Sequence, residues 1–206
     1  MPPVQFWFEF ASTYSYLAVM RIEPLAKARR IPLEWKPFLL GALFNRQGWT
    51  DSPFNLFPVR GRYMWRDIER QCAKHNLPFR KPSSFPRNSL LAARIACAAA
   101  GEPWMREFVR AAYHANFAED RDIADREVMA GALARAGVDR PRIDAILAAA
   151  VATENKERLR HETDLAWEAG VFGAPTLVVD GEVFWGNDRL EEAFDWYEMH
   201  APRTGA

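Results

Sequence analysis

The chain has 206 residues, 49% apolar and 26% charged, which suits one globular core, or one domain with a large insertion, and excludes a mainly disordered chain. Lys and Arg number 27 and Asp and Glu number 27, so the concentrated positive charge that nucleic-acid binding requires is missing. No apolar run approaches the roughly 20 residues needed to span a bilayer, and no basic and apolar leader of the secretory kind opens the chain.

Residues 4–10, Val-Gln-Phe-Trp-Phe-Glu-Phe, are aromatic and β-branched and run into Ala-Ser-Thr, which predicts a buried strand followed by a helix start. From 14 to 29 the apolar positions Ala18, Ile22, Leu25 and Ala26 recur at helical spacing. A second strand is expected over 31–38, bounded by Pro37, giving a right-handed β-α-β unit. Residues 41–60 show no clear periodicity and read as a functional loop. Helices are expected over 61–76, 88–100, 103–117, 125–136, 140–151 and 153–169, separated by Pro, Gly and Asp breaks. Within them, Glu119-Asp-Arg-Asp is mixed in sign and reads as a solvated turn.

Strand character returns after Gly170. Two apolar runs flank Asp180-Gly181, a hairpin signature. Leu190 to Tyr197 then reads as a closing helix with Asn187 or Asp188 near its N-cap. The order β-α-β, helical block, β-β-α is the topology of an α/β, thioredoxin-like fold with a large all-helical insertion. Residues 1–40 and 170–206 would form the thioredoxin-like domain, and 41–169 the loop and helical insertion.

Three features could carry chemistry. Ser12-Thr13-Tyr14-Ser15 occupies the slot where thiol-disulfide oxidoreductases of this topology hold Cys-x-x-Cys, because free N–H groups and the helix dipole favour a thiolate there. A serine cannot exchange disulfides, but it can hydrogen-bond another molecule's sulfur. Equally, Ser12 could be an ordinary N-cap. Val171-Phe-Gly-Ala-Pro175-Thr places a proline at a strand start. A cis bond there would turn the backbone of Ala174 toward Ser12 as a short edge for a bound peptide, and a trans edge proline would not. Trp185-Gly-Asn-Asp-Arg189 offers N–H groups for a carboxylate and Asp188 for an ammonium group, or else a plain cap box. The arginines at 60, 62, 66 and 70 could form a small anion site.

Phe-Glu-Phe-Ala-Ser12-Thr-Tyr-Ser-Tyr-Leu-Ala, Phe57-Pro-Val-Arg60-Gly-Arg-Tyr63-Met with Asp67, Val-Phe-Gly-Ala-Pro-Thr and Trp-Gly-Asn-Asp-Arg-Leu together resemble the 2-hydroxychromene-2-carboxylate isomerases. That group sits with the kappa-class glutathione transferases inside the DsbA-like family, and the resemblance spans essentially the whole chain. It implies a glutathione-dependent isomerase with glutathione as cofactor and a small aromatic acid as substrate. Ser12 would bind the glutathione sulfur. Ala174, beside Pro175, would pair with the cysteinyl backbone, Asn187 and Asp188 would hold the γ-glutamyl end, and Trp185 and Gly186 would also contact glutathione.

This chain departs from the family in having Thr13 where proline is common and Arg60 where lysine is common; Arg60 keeps the charge that would meet a carboxylate. The family's loop asparagine corresponds to Asn55 or to Asp51. Trp49, Phe54 and Phe85 would offer flat walls for an aromatic ring, or else be core. The resemblance also implies a homodimer. A kappa-like transferase or peroxidase, and a non-catalytic peptide-binding module, are the alternatives.

His75, His114, His161 and His200 show no metal-ligand spacing, so no metal is expected. Cys72 and Cys97, far apart, read as packing residues in a reducing compartment. The expected location is cytoplasmic, with no membrane or nucleic-acid partner.

Overall fold

Strand β1 (Val4–Phe8) carries large apolar side chains toward both faces of its sheet, so both faces must be covered. In the computed structural model, which describes residues 1–201, Phe6 and Phe8 pack with ring centroids 5.2 and 5.6 Å from Trp35. Trp7, pointing the other way, lies 6.2 Å from Phe38. The chain continues through α1 (Thr13–Arg29), β2 (Leu33–Pro37), α2 (Leu40–Arg46), α3 (Pro53–Leu56), α4 (Pro58–Lys74) and α5 (Leu90–Ala98). Then come α6 (Met105–Phe117), α7 (Arg126–Arg135), α8 (Arg140–Ala150), α9 (Thr153–Glu168), β3 (Thr176–Val179) and β4 (Glu182–Trp185). A 3-10 turn, Asn187–Arg189, leads into α10 (Leu190–His200).

The strands form one sheet in the order β2-β1-β3-β4. β1 and β2 are parallel, as their α1 crossover requires, and the other two pairings are antiparallel. This is a thioredoxin-like α/β fold with helices α2–α9 entering between β2 and β3. The main core runs from Phe6 and Phe8 through Tyr16 and Leu17 of α1 to Phe108, Tyr113 and Phe117 of α6. A smaller cluster of Trp7, Phe38, Leu43, Ala166, Val171 and Val178 covers the opposite face.

The segment 41–60 is not the structureless loop its composition suggests. Leu40, Leu43 and Phe44 fall at helical spacing in α2, and Ser52 caps the single turn of α3 by accepting the Phe54 N–H at 3.3 Å, with Pro53 at the first helical position. The following helix begins at Pro58, three residues before the expected 61, again with proline in its first turn. Neither Asn187 nor Asp188 is a side-chain N-cap. Both lie inside the 3-10 turn, which Gly186 opens at φ 125, a conformation side chains rarely adopt. The closing helix runs on to His200 rather than stopping at Tyr197. Of the expected 170–206 segment, residues 202–206 lie outside the described residues. Among the described residues no helix is long and apolar enough to cross a membrane.

Candidate active site

β1 ends where the chain turns. The Ser12 N–H donates to the Glu9 carbonyl at 3.0 Å, and the Tyr113 hydroxyl donates to the same oxygen at 2.6 Å. The turn sets Ser12 at the head of α1 with φ −78 and ψ 120, where its Oγ accepts the Ser15 N–H at 3.2 Å. So Ser12 is an N-cap. Its hydroxyl hydrogen has a different destination: Ser12 Oγ donates to the Ala174 carbonyl at 3.0 Å. The Ala174–Pro175 bond is cis, and the Pro175 carbonyl accepts the Gly186 N–H at 3.0 Å. Three segments far apart in sequence therefore meet at one point. Ser15, in the second cysteine slot, is fully buried with an unpartnered Oγ. Only the first serine faces open space.

That space is a cleft of about 1630 Å³, larger than the roughly 300–1,000 Å³ typical of a single small ligand. It has room for two molecules. Ser12, Ala174, Trp185, Gly186, Asn187 and Asp188 line one wall, whereas Pro175 is not among the lining residues and contributes the cis bond after Ala174. Trp185 is about half exposed and lies 5.0 Å from Phe172. The buried Asn187 spends its Oδ1 on Arg21 Nη1 at 2.8 Å, so its side-chain oxygen is engaged within the fold, whereas Asp188 is exposed.

Phe54, Arg60 and Phe85 line the cleft as well. The Arg60 guanidinium lies 4.5 Å from the Phe57 ring centre, and Phe85 meets Trp65 edge-on at 4.8 Å. Phe54 is set by a close approach of α3 to α4: a Cβ on Gly61 would collide with the Phe54 carbonyl. Asn55 does not line the cleft. Its amide donates to the Asp51 carboxylate at 3.1 Å and to the Phe85 carbonyl at 3.3 Å, tying two wall segments together, and it is Asp51 that faces the opening. The two positions considered for the loop asparagine are thus hydrogen-bonded neighbours.

Several further side chains line the cleft. The Tyr14 hydroxyl donates to Asp67 at 3.0 Å, and burial together with that carboxylate pushes its ionisation well up. Arg21, Lys74 and His75 line a further arm, where burial and Arg21 hold the His75 imidazole below its ordinary range. Among the described residues no group of three or more His, Cys, Asp or Glu side chains could hold a metal ion.

Glu9 is the least expected member. It is only 6% exposed, borders the cleft, and takes the Ala11 N–H on Oε2 at 2.9 Å. Burial pushes its carboxyl from 4.5 up to about 7, although the Ser89 hydroxyl and the Ala11 and Ser12 N–H groups favour the ionised form. The folded chain therefore binds this proton more tightly than the unfolded chain does. Glu9's contribution to stability is intact below pH 4.5 and falls as pH rises toward about 7, by on the order of 3 kcal/mol. Glu9→Gln should lack that falling limb. Its Tm should exceed wild type at about pH 8 and converge with it in acid. Melting curves that run parallel at both ends would refute this.

The chain is similar along most of its length to known proteins. Residues 3–197 match the family model of the DSBA-like thioredoxin domain. A 2-hydroxychromene-2-carboxylate isomerase of Sphingobium xenophagum is 31% identical, over 91% of this chain and 94% of its own. Glutathione S-transferase kappa 2 of Caenorhabditis elegans is 26% identical over 94% of this chain and 90% of its own. Among solved structures, a 2-hydroxychromene-2-carboxylate isomerase superposes with a TM-score of 0.84 at 24% identity, covering 96% of this chain and 95% of that one.

Proposed function

This chain belongs to the DSBA-like thioredoxin domain family, beside the 2-hydroxychromene-2-carboxylate isomerases and kappa-class glutathione transferases, and from that we propose that it is a glutathione-dependent isomerase of an aromatic enone acid. The observation that carries the reading is the meeting of Ser12 with Ala174 at the edge of a cleft roomy enough for two ligands.

Glutathione would lie along the 174–188 wall, its sulfur at Ser12 and the head of α1, where the helix dipole favours negative charge. Its cysteinyl N–H would take over the Ala174 carbonyl, and its γ-glutamyl ammonium would meet Asp188. The aromatic acid would enter between Phe54 and Phe85, with its carboxylate toward Arg60. The thiolate adds to the alkene carbon conjugated to the carbonyl, and the π pair moves to the carbonyl oxygen. The bond thus made single rotates. The enolate pair then restores the double bond and expels the thiolate. Glutathione is a borrowed nucleophile and is not consumed.

Calorimetric titration should give saturable glutathione binding, and an aromatic enone acid should interconvert between its cis and trans forms with the thiol undiminished. No binding heat with glutathione in large excess would sink the reading. Net consumption of thiol would favour instead a transferase or peroxidase, the second reading, which the kappa 2 relative supports. The enzyme would work in the cytoplasm, where glutathione stays reduced. It would also be a homodimer: Leu56, Phe57, Val59 and Tyr63, along α3, α4 and the residue between them, expose large apolar side chains at the margin of the cleft, where Val59 and Tyr63 also line it, that a second copy could cover. Sedimentation at the mass of a single chain would remove that part.

A further inference from the structure

The addition and expulsion just described begin with a thiolate, yet free glutathione carries a thiol, so a proton must leave the sulfur. Ser12 cannot keep it, since a hydroxyl that donates to sulfur has no vacancy for a second proton. The site therefore needs an acceptor, and the wall that holds Ser12 contains one carboxyl not otherwise used. Glu9 stands three residues before Ser12, borders the same cleft, and is 6% exposed.

The groups facing Glu9 come from every side of it. The Ala11 N–H and the Ser12 N–H approach from the head of α1, and the Ser89 hydroxyl from the segment before α5. The Tyr113 hydroxyl of α6 is spent on the Glu9 backbone carbonyl. Arg87, which also lines the cleft, is engaged by Asp120 and by the carbonyls of Asn116, Asp120 and Arg121. Glu9 thus has donors but, among the described residues, no ion-pair partner. A thiolate arriving at Ser12 would place a second negative charge in the same dry wall, near the same N–H groups. Two such anions side by side cannot both stay charged cheaply, and one of them takes up a proton.

We propose that Glu9 accepts the glutathione thiol proton, so that the sulfur at Ser12 and the Glu9 carboxyl hold one proton and one negative charge between them. This rests on the glutathione reading above. The S–H bond breaks with its electron pair left on sulfur, and the proton passes to a Glu9 oxygen directly or across one water. After expulsion from the product, the sulfur either starts another cycle or recovers the proton from Glu9 as glutathione leaves. Nothing is oxidised or reduced. A carboxyl lifted by burial toward neutrality suits this exchange, being ionised when the thiol arrives and basic enough to hold what it gives up.

The test counts protons. Glutathione is titrated at roughly pH 8, above the carboxyl's range and below that of a free thiol, in buffers of different ionisation enthalpy, with thiolate absorbance followed in parallel. Wild type should form thiolate on binding while releasing almost no proton to the buffer. In Glu9→Gln thiolate formation and proton release should become tied to each other: either thiolate forms with release of about one proton, or the thiol stays protonated and none is released. A carboxyl with only a structural role would leave both the proton count and the thiolate signal as they are in wild type. The assignment is overturned if wild type releases a full proton, forms no thiolate, or matches the variant. If Glu9→Gln does not fold, the wild-type count decides alone. Absence of any binding would overturn the underlying glutathione reading, and is told apart from the other outcomes by the missing heat.

Discussion

Replacing Ser12 with alanine should lower turnover of the glutathione-dependent reaction by about 10²–10³-fold, the usual effect of deleting one donor aimed at developing charge in a dry site. Of the two serines in the cysteine slots only Ser12 reaches the cleft, since Ser15 is sealed in the core, and the neighbouring Thr13 and Tyr14 hydroxyls are already spent on Met64 and Asp67. Glutathione affinity should fall far less, because contacts along 174–188 remain. The apparent pKa of the bound thiol should rise. Loss of the cap would cost about 1 kcal/mol of stability, too little to unfold the chain, so folding and chemistry separate cleanly. Ser12→Thr, which keeps a hydroxyl, should recover part of the rate. Turnover within a few-fold of wild type in Ser12→Ala would remove Ser12 from the mechanism.

The largest stability effect outside the central core is expected at Arg87. Its side chain is 5% exposed. Nη1 donates to the Asn116 carbonyl at 3.2 Å, to Asn116 Oδ1 at 3.0 Å and to the Arg121 carbonyl at 2.8 Å. Nη2 donates to Ser83 Oγ at 3.3 Å, to the Asp120 carbonyl at 3.1 Å and to the Asp120 carboxylate. One guanidinium thus pins the segment carrying Phe85 to the end of α6. Arg87→Met fills the space but strands these acceptors, and removing one member of a buried pair costs about 3 kcal/mol, or roughly 6–12 °C in Tm for a chain of this size. Because Phe85 lies two residues away, half-saturation for the aromatic acid should rise while glutathione binding at the opposite wall is kept. Thermal melts and separate titrations of the two ligands read the two consequences. A Tm unchanged from wild type would show the network to be dispensable.

The frame was legible because its signals are local. β1 reads from five consecutive residues, the hairpin from Asp180-Gly181, and each long helix from its own apolar spacing and breakers. Ser12 and Pro175 were legible as positions within that frame. Short helices were not: α2 has seven residues and α3 four, too few for periodicity to rise above composition, although Ser52-Pro53 is a capping signal in plain view. The choice between Asp51 and Asn55 stayed open for a related reason, since a single helical turn decides which of the two points into the opening. Glu9 could not be found from sequence at all. In the run Phe-Trp-Phe-Glu-Phe it looks like the solvent-facing residue of a strand end, and its burial comes from the Ser89 segment and α6, some eighty and a hundred positions away.

The bond between Ser12 and Ala174 would have a bearing on which thiols can serve. An incoming sulfur must draw the hydroxyl away from the carbonyl, which leaves that oxygen stranded in a poorly hydrated corner, a penalty of about 1–3 kcal/mol unless something replaces it. A cysteine held within a peptide brings an amide hydrogen at the right spacing to do so. Mercaptoethanol or sulfide brings none. If glutathione sits at Ser12 as proposed, the resting contact would act as a filter, rejecting bare reductants by what they fail to put back rather than by their size.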